Sequence, residues 1–380
     1  MEQVQSPVIP LVAEWIADHP GTISLGQGVV YYSPPANVRQ AVLQAVQHES
    51  RLDRYGFVGG LPELQQQIAA KVTAENGMDL SQQAIVVTAG SNMAFMNAIL
   101  AVTDPGDEVI LPGPYYFNHH MAIEMAGCRV VVVPTDGDYQ LDVAAMQRAI
   151  TPRTRAIVTV SPNNPTGAVY CRASLMAVNE LCRGGGCYHI VDEAYEYFTY
   201  GAAEHFSPAA LPEASPHTIS LYSLSKAYAM AGWRCGYMLV PSHLHTAIKK
   251  IQDTNLICPP VVCQVAATAA LAAGKSWACS HIAPLSKVRQ LVLEELGQLG
   301  HRCRMAQPAG AFYALLELET DRRDLELVHA LIRDWGVAVL PGSTFGIQRG
   351  CTLRIAYGCL APASVAEGIG RLRRGLQQLL

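Results

Sequence analysis

The chain has 380 residues, half of them hydrophobic and 15% charged, with a formal net charge of −4. That balance excludes a disordered chain and, with no long basic run, speaks against a nucleic-acid partner. The length exceeds what one hydrophobic core usually serves, so two or three domains are expected.

In chain order, Met1-Glu-Gln-Val-Gln-Ser-Pro7 has neither a basic start nor an apolar run, so no secretory signal is read there. The extended Ile23-Ser-Leu-Gly-Gln-Gly28 is expected to return and pack on the C-terminal block. From about residue 85 to 255, strand-like and helix-like segments alternate. Ile85–Ala89, Glu108–Pro112, Arg129–Pro134, Ala156–Val160 and Tyr188–Asp192 are short apolar runs of buried-strand type. Met93–Val102 and Leu175–Arg183 have helical character. The alternation predicts an α/β layer architecture with a largely parallel sheet.

The rhythm changes after about residue 258. Pro259–Ala273 and Trp277–Leu299 read as helices, Phe312–Leu318 as a strand and Leu325–Trp335 as a helix. Val337–Leu340 and Thr352–Ala356 follow as strands, and Ala363–Leu380 closes the chain as a helix, giving a second, α+β block. The most apolar stretch, Val265–Ala273, is too short to span a bilayer, so no membrane association is expected. Eleven scattered cysteines without zinc-type pairing read as reduced, mostly buried thiols of a cytoplasmic protein.

Chemistry concentrates first in Ser223-Leu-Ser225-Lys226, followed by Gly232-Trp-Arg234-Cys-Gly236. A lysine amine can condense with an aldehyde, and a hydroxyl with a guanidinium can hold a dianionic phosphate. Pyridoxal phosphate carries both handles. Ser161-Pro-Asn-Asn164-Pro-Thr-Gly167 follows a predicted strand and presents an amide that could serve a ring oxygen or a carboxylate; a plain turn is the alternative. Asp192 emerges from an apolar strand and needs a cation, which a protonated pyridine nitrogen would supply. Tyr195, three residues on, could reach the ring oxygen, while Glu193 reads as a solvated neighbour. Thr88-Ala-Gly90-Ser91-Asn92 opens a helix whose free N–H groups favour an anion. Arg354, inside a strand-like run, is either a snorkelling surface cation or a clamp on a substrate carboxylate, with Pro341–Gly346 as a loop over a cleft.

Asn-Pro-Thr-Gly, Asp-x-Ala-Tyr, Ser-x-Ser-Lys with an arginine eight residues on, Pro-Gly-Ser-x-Phe-Gly and the final Leu-Arg-Ile together resemble the class I/II aminotransferases. These are fold-type I pyridoxal-phosphate enzymes, and the resemblance runs in order from about Leu25 to Arg354. It implies a large cofactor-binding domain, residues 40–275, with a mostly parallel seven-stranded sheet. It also implies a smaller α+β domain built from 1–39 together with 276–380.

By the same resemblance Lys226 is the Schiff-base lysine and proton shuttle, Asp192 the pyridinium partner, and Asn164 and Tyr195 the donors to the ring oxygen. Gly90, Ser91, Asn92, Ser223, Ser225 and Arg234 match phosphate-loop positions. Tyr116, rather than Tyr115, matches the ring that stacks on the pyridine. Tyr55 resembles a tyrosine reaching the phosphate of the neighbouring subunit, which implies a homodimer with a shared active site. Arg354 resembles the α-carboxylate clamp, with Gly28 and Asn164 beside it at the substrate. His119 lies where some relatives carry a histidine supporting the aspartate, and a packing role is the alternative; His120 reads as structural.

The implied activity moves an amino group from an L-amino acid to a 2-oxo acid by a ping-pong route. A β-eliminating carbon–sulfur lyase on the same scaffold is the alternative, because elimination uses the same carbanion. A non-catalytic effector-binding module is a further reading, but it would need a DNA-binding extension. The chain departs from many relatives at Gly28-Val-Val-Tyr31-Tyr32-Ser-Pro-Pro. Two tyrosines at a substrate mouth favour an apolar or aromatic side chain, with packing as the other explanation. No second arginine for a dicarboxylate is identifiable.

Overall fold

The computed structural model describes residues 4, 5 and 8–380. Met1–Gln3, Ser6 and Pro7, part of the stretch read as lacking a signal, lie outside the described residues. The first strand, β1 (Ile23–Ser24), is two residues long. A seven-stranded sheet follows: β2 (Gln83–Thr88), β3 (Glu108–Gly113), β4 (Arg129–Pro134), β5 (Thr154–Val160), β6 (Tyr188–Asp192), β7 (Thr218–Ser223) and β8 (Gly236–Pro241). Its order is β2-β8-β7-β6-β5-β3-β4, with β8 antiparallel to both neighbours and the other pairings parallel. The mostly parallel seven-stranded sheet is thus present, although β7 and β8 had not been read as strands.

Helices explain why the central strands read as continuous apolar runs. Both faces are covered, so alternation between apolar and polar residues disappears. Ile157, Val158, Ile190 and Val191 are all buried, and each such side chain contributes roughly 1.5–3 kcal/mol. Helix Arg172–Gly185 buries Leu175, Val178, Asn179 and Cys182 along one stripe and stops at Gly186, whose φ of +66° is the left-handed cap that glycine permits.

The second sheet contains β9 (Cys303–Arg304), β10 (Tyr313–Leu318), β12 (Leu340–Pro341) and β13 (Cys351–Ala356), in the order β12-β13-β10-β9. Between β10 and β12 lies β11 (Val337–Ala338), which pairs in parallel with β1. Leu25 continues that return, donating to the Ala338 carbonyl at 2.8 Å and accepting from Ala356 N at 2.6 Å. The extended N-terminal segment therefore packs on the C-terminal block as expected.

Two expectations are corrected. Trp277–Leu299 is not one helix: it divides into Gly274–Ile282 and Leu285–Gly297, because Pro284 has no N–H to continue the first. Val337–Leu340 is not one strand either. Its first half pairs with β1 and its second with β13, so the chain changes sheets at Val339. Among the described residues no helix is long and apolar enough to cross a membrane.

Candidate active site

The strand directions gather the site. Strands β2, β3, β5, β6 and β7 all end at one edge of the large sheet, and antiparallel β8 begins there. Loops after parallel strands converge on such an edge, where α/β sheets hold ligands. That edge carries Gly90–Asn92 after β2, Tyr116 after β3, Asn164 after β5, Asp192 and Tyr195 at the end of β6, Ser223–Lys226 at the end of β7, and Arg234 just before β8. The second sheet faces them with Tyr313 of β10 and Arg354 of β13. A cavity of about 230 Å³ lies between, lined by every predicted cofactor or substrate residue except Gly90 and Tyr55.

Lys226 is half-buried on a short helix, Leu224–Ala227, begun by Ser223, whose hydroxyl accepts from Ser225 N at 3.2 Å. Its amine donates to the Gly28 carbonyl. Desolvation, followed by the charges of Arg354 and Arg234, pushes its pKa down to about 8, against an opposing pull from Asp192. An amine that is partly neutral near physiological pH is a usable nucleophile and base. Tyr32 braces the same turn from behind, donating to the carbonyls of Lys226 (3.3 Å) and Ala227 (3.2 Å).

Asp192 is buried. One carboxylate oxygen accepts from Ala194 N at 3.0 Å, and the other lies 3.1 Å from His119 Nε2. His119 stacks on Phe95 with centroids 3.9 Å apart, so packing fixes the ring behind the aspartate. Tyr116 presents its ring to the cavity; its hydroxyl accepts from Asn118 Nδ2 at 2.7 Å and donates to Asn92 Oδ1 at 3.4 Å. Tyr115 lies outside the lining, stacked on His120.

At the helix start, Gly90 has φ +82°, and a Cβ there would come within 2.6 Å of Arg234 Nη2. The backbone conformation requires glycine, and the absence of a side chain lets Arg234 lie against it. Arg234 itself takes a left-handed φ of +49°, an uncommon conformation for a residue with a side chain. Its guanidinium reaches the Ala231 carbonyl at 3.0 Å and the Ala89 carbonyl at 3.5 Å. Ser91, Asn92, Ser223 and Ser225 share this end of the chain path and line the cavity.

Arg354 resolves the choice between a surface cation and an inward one: it is 2% exposed. Its guanidinium donates to Asn164 Oδ1 at 3.1 Å and to the Gly26 carbonyl at 2.5 Å. Tyr313 and Phe345 cover it at 4.5 and 4.9 Å from their ring centroids. Its Nε has no partner among the described residues. A buried guanidinium with a spare donor suits a carboxylate.

Tyr55, read as reaching a neighbouring subunit, and several other residues do not line this cavity. Tyr55 is 80% exposed and lies on a different surface hollow, beside Arg51, Arg54 and Phe57. Tyr31 and Tyr32 do not line the cavity: Tyr31 faces outward, and Tyr32 packs among Trp277 and His281. Glu193 is not solvated. It is fully buried and accepts from Tyr222 (2.9 Å) and Ser207, with His205 Nε2 at 2.8 Å. Those partners lie 12 to 29 residues away, beyond local pattern reading. Gln27, Val29, Asn118 and Tyr313 line the cavity without having been singled out.

Comparison with known proteins agrees with this arrangement. The family model for aminotransferase class I and II matches residues 20–372. The chain is 34% identical over 383 residues to the aromatic aminotransferase ISS1 of Arabidopsis thaliana, covering 98% of this chain and 94% of that protein. It is 32% identical to a probable aspartate/prephenate aminotransferase of Aquifex aeolicus (strain VF5), covering 98% and 96%. Among solved structures, the Thermus thermophilus aspartate aminotransferase with maleate superposes with a TM-score of 0.90 at 30% identity, covering 98% of each chain. The Pyrococcus horikoshii OT3 aromatic aminotransferase gives 0.88 at 31%, covering 97% of this chain and 99% of that one. These names are those of aminotransferases, not of carbon–sulfur lyases.

Proposed function

The chain belongs to the class I and II aminotransferases, and from that premise we propose that it binds pyridoxal phosphate at Lys226 and transaminates L-amino acids with apolar or aromatic side chains. The fold is that of fold-type I enzymes, and aminotransferase activity follows from the full-length relatives. The observation that carries the cofactor assignment is the convergence on one cavity of a partly neutral lysine, a buried carboxylate and two cations.

The residues present fit the group. Its phosphate suits Gly90, Ser91, Asn92, Ser223, Ser225 and Arg234, where the glycine lets backbone approach the arginine closely. Its ring nitrogen suits Asp192, its ring oxygen Asn164 and Tyr195, and its face Tyr116. When bound, pyridoxal phosphate supplies an aldehyde for the amine and a protonated ring that accepts the electron pair released at the substrate's α-carbon. Asp192, held by Ala194 N and backed by His119, presents its carboxyl group where a protonated ring nitrogen would need a partner. Lys226 Nζ would take the proton from the substrate α-carbon and deliver it to the cofactor's aldehyde carbon. Arg354, steadied by Asn164 and Gly26, orients the substrate through its α-carboxylate, beside the Gly28 backbone.

The side-chain preference rests on the lining. Ile9, Val29 and Phe117 share the cavity with Lys226, Arg234 and Arg354, the cations already engaged. An acidic side chain therefore has no cation of its own among the described lining residues. Tyr55 supports a homodimer: it cannot serve its own cavity, and Leu43, Val46 and Phe57 are exposed with it. We assign residues 40–275 to a large domain and 1–39 with 276–380 to a small one, in line with the extents of the two sheets. The odd count of scattered cysteines suits the reducing cytoplasm.

A screen of amino donors against several 2-oxo acids, read by mass spectrometry, tests this reading. Phenylalanine, tyrosine or leucine should exceed aspartate in kcat/KM by about tenfold or more, the value of at least one methylene in an apolar site. Preference for aspartate would overturn the side-chain assignment. Pyruvate and ammonia released without an acceptor would indicate elimination instead.

A further inference from the structure

Tyr313 has no part in the reading above, yet it lines the same cavity. It is 1% exposed, and its hydroxyl lies 2.7 Å from that of Tyr195, which stands 118 residues earlier at the edge of the other sheet. A Cβ on Gly28 would come within 2.6 Å of the Tyr313 hydroxyl, so backbone closes a further side. The Arg354 guanidinium stands 4.5 Å from the Tyr313 ring centroid. Register explains the proximity: β10 and β13 are paired, with Tyr313 opposite Ala356 and Leu315 opposite Arg354.

Two phenols at this distance share one hydrogen bond; one donates, and the other keeps its proton for a third acceptor. Burial raises both pKa values. For Tyr313 the nearby Arg354 charge opposes burial and leaves it at about 12, whereas Tyr195 is pushed well above the ordinary range by burial and then by Tyr313. Tyr195 has a single proton; with that proton on the ring oxygen, the 2.7 Å contact can only be donated by Tyr313. The other titratable or charged groups facing the pair are Tyr116 before helix Phe117–Met125, Lys226, whose Nζ is 5.9 Å from the Tyr195 ring centroid, and Cys359 after β13.

We propose that Tyr313 is a positioning residue: by donating to Tyr195 it directs the Tyr195 proton toward the cofactor's ring oxygen, and it ties that proton to the substrate clamp Arg354. The inference rests on Tyr195 being the ring-oxygen donor. A carboxylate on Arg354 offsets the charge above Tyr313, so occupancy of the clamp is felt at Tyr195.

The test titrates the absorbance of the cofactor-loaded protein against pH for the wild type, Tyr313→Phe, Tyr195→Phe and the double variant. Phenylalanine keeps each ring in place, and circular dichroism checks the fold. A donor to the ring oxygen favours its ionised form, so losing that donor raises the pH of the absorbance change. Tyr195→Phe should raise it most. Tyr313→Phe should raise it by about half a unit to one unit, roughly three- to tenfold in the protonation constant. The double variant should match Tyr195→Phe alone, because the two residues act through one bond. No shift in Tyr313→Phe, or a shift that adds to that of Tyr195→Phe, overturns the role of Tyr313 and leaves the cofactor assignment intact. If Tyr195→Phe itself shifts nothing, Tyr195 is not the ring-oxygen donor and both readings fall together.

Discussion

The two sheets present their functional side chains in different ways. On the seven-stranded sheet they stand at or just beyond the strand ends; Asn164, Asp192 and Tyr195 are buried there, but Asn92 and Arg234 remain exposed. On the four-stranded sheet Tyr313 and Arg354 lie within strands, at 1% and 2% exposure. A loop at a strand end carries a polar residue cheaply, because solvent or ligand can satisfy it. A cation inside a strand must be met by protein, and Arg354 is met by Asn164, the Gly26 carbonyl and two aromatic faces. The difference separates two tasks. The open edge is suited to holding a resident group, and the sealed strand pair to judging what enters.

If that division is right, damage at the sheet edge costs the chemistry or the cofactor, and damage at the strand pair costs recognition. The largest effect is expected for Lys226→Ala. Turnover should fall by about 10⁴-fold or more, since proton transfer alone contributes about 10²–10⁴ and the covalent anchor is lost as well. Steady-state transamination checks it, and retained turnover would break the comparison at its strongest point. Arg354→Lys keeps the charge but loses the fork. Its kcat/KM should drop about 10–100-fold, as for one charge-assisted hydrogen bond of about 1.5–3 kcal/mol. The cofactor absorbance should stay unchanged; loss of the cofactor in this variant would erase the division between the sheets.

The smallest effect concerns pH. With its pKa near 8, Lys226 has about a quarter of its amines neutral at pH 7.5, against about a thousandth for an ordinary lysine. The neutral amine is the nucleophile. Reaction of cofactor-free protein with pyridoxal phosphate should therefore accelerate about fourfold from pH 7.5 and level off by about pH 9, read by stopped-flow absorbance. A rate still climbing toward pH 10 would show a solvated lysine.

This contrast also governs what sequence reading could reach. Asp192 and Asn164 were legible because polar residues at the ends of apolar runs stand out, Lys226 from its hydroxyl neighbours and spacing to Arg234, and their order matched a known family. Tyr313 was hidden inside Phe-Tyr-Ala-Leu-Leu-Glu-Leu, where a phenol is indistinguishable from strand packing. Glu193 was misread for a related reason: its neighbours Ser207, His205 and Tyr222 are assembled by the fold. The split at Val339 needed tertiary pairing to be seen. The break at Pro284, by contrast, had a signal in the sequence, since a proline inside a helical pattern ends the helix before it. For Tyr31 and Tyr32 two readings stood open, substrate mouth or packing; neither lines the cavity, Tyr32 packs on Trp277 and His281, and Tyr31 faces outward.

The central claim is that Lys226 carries the cofactor between the two sheets, and covalent trapping tests it most directly. Borohydride reduction of the protein loaded with pyridoxal phosphate, followed by proteolysis and peptide mass spectrometry, should find one modified lysine, Lys226, in the peptide containing Ser-Leu-Ser-Lys-Ala. Modification at another lysine instead, or spread over several without preference, would contradict the account.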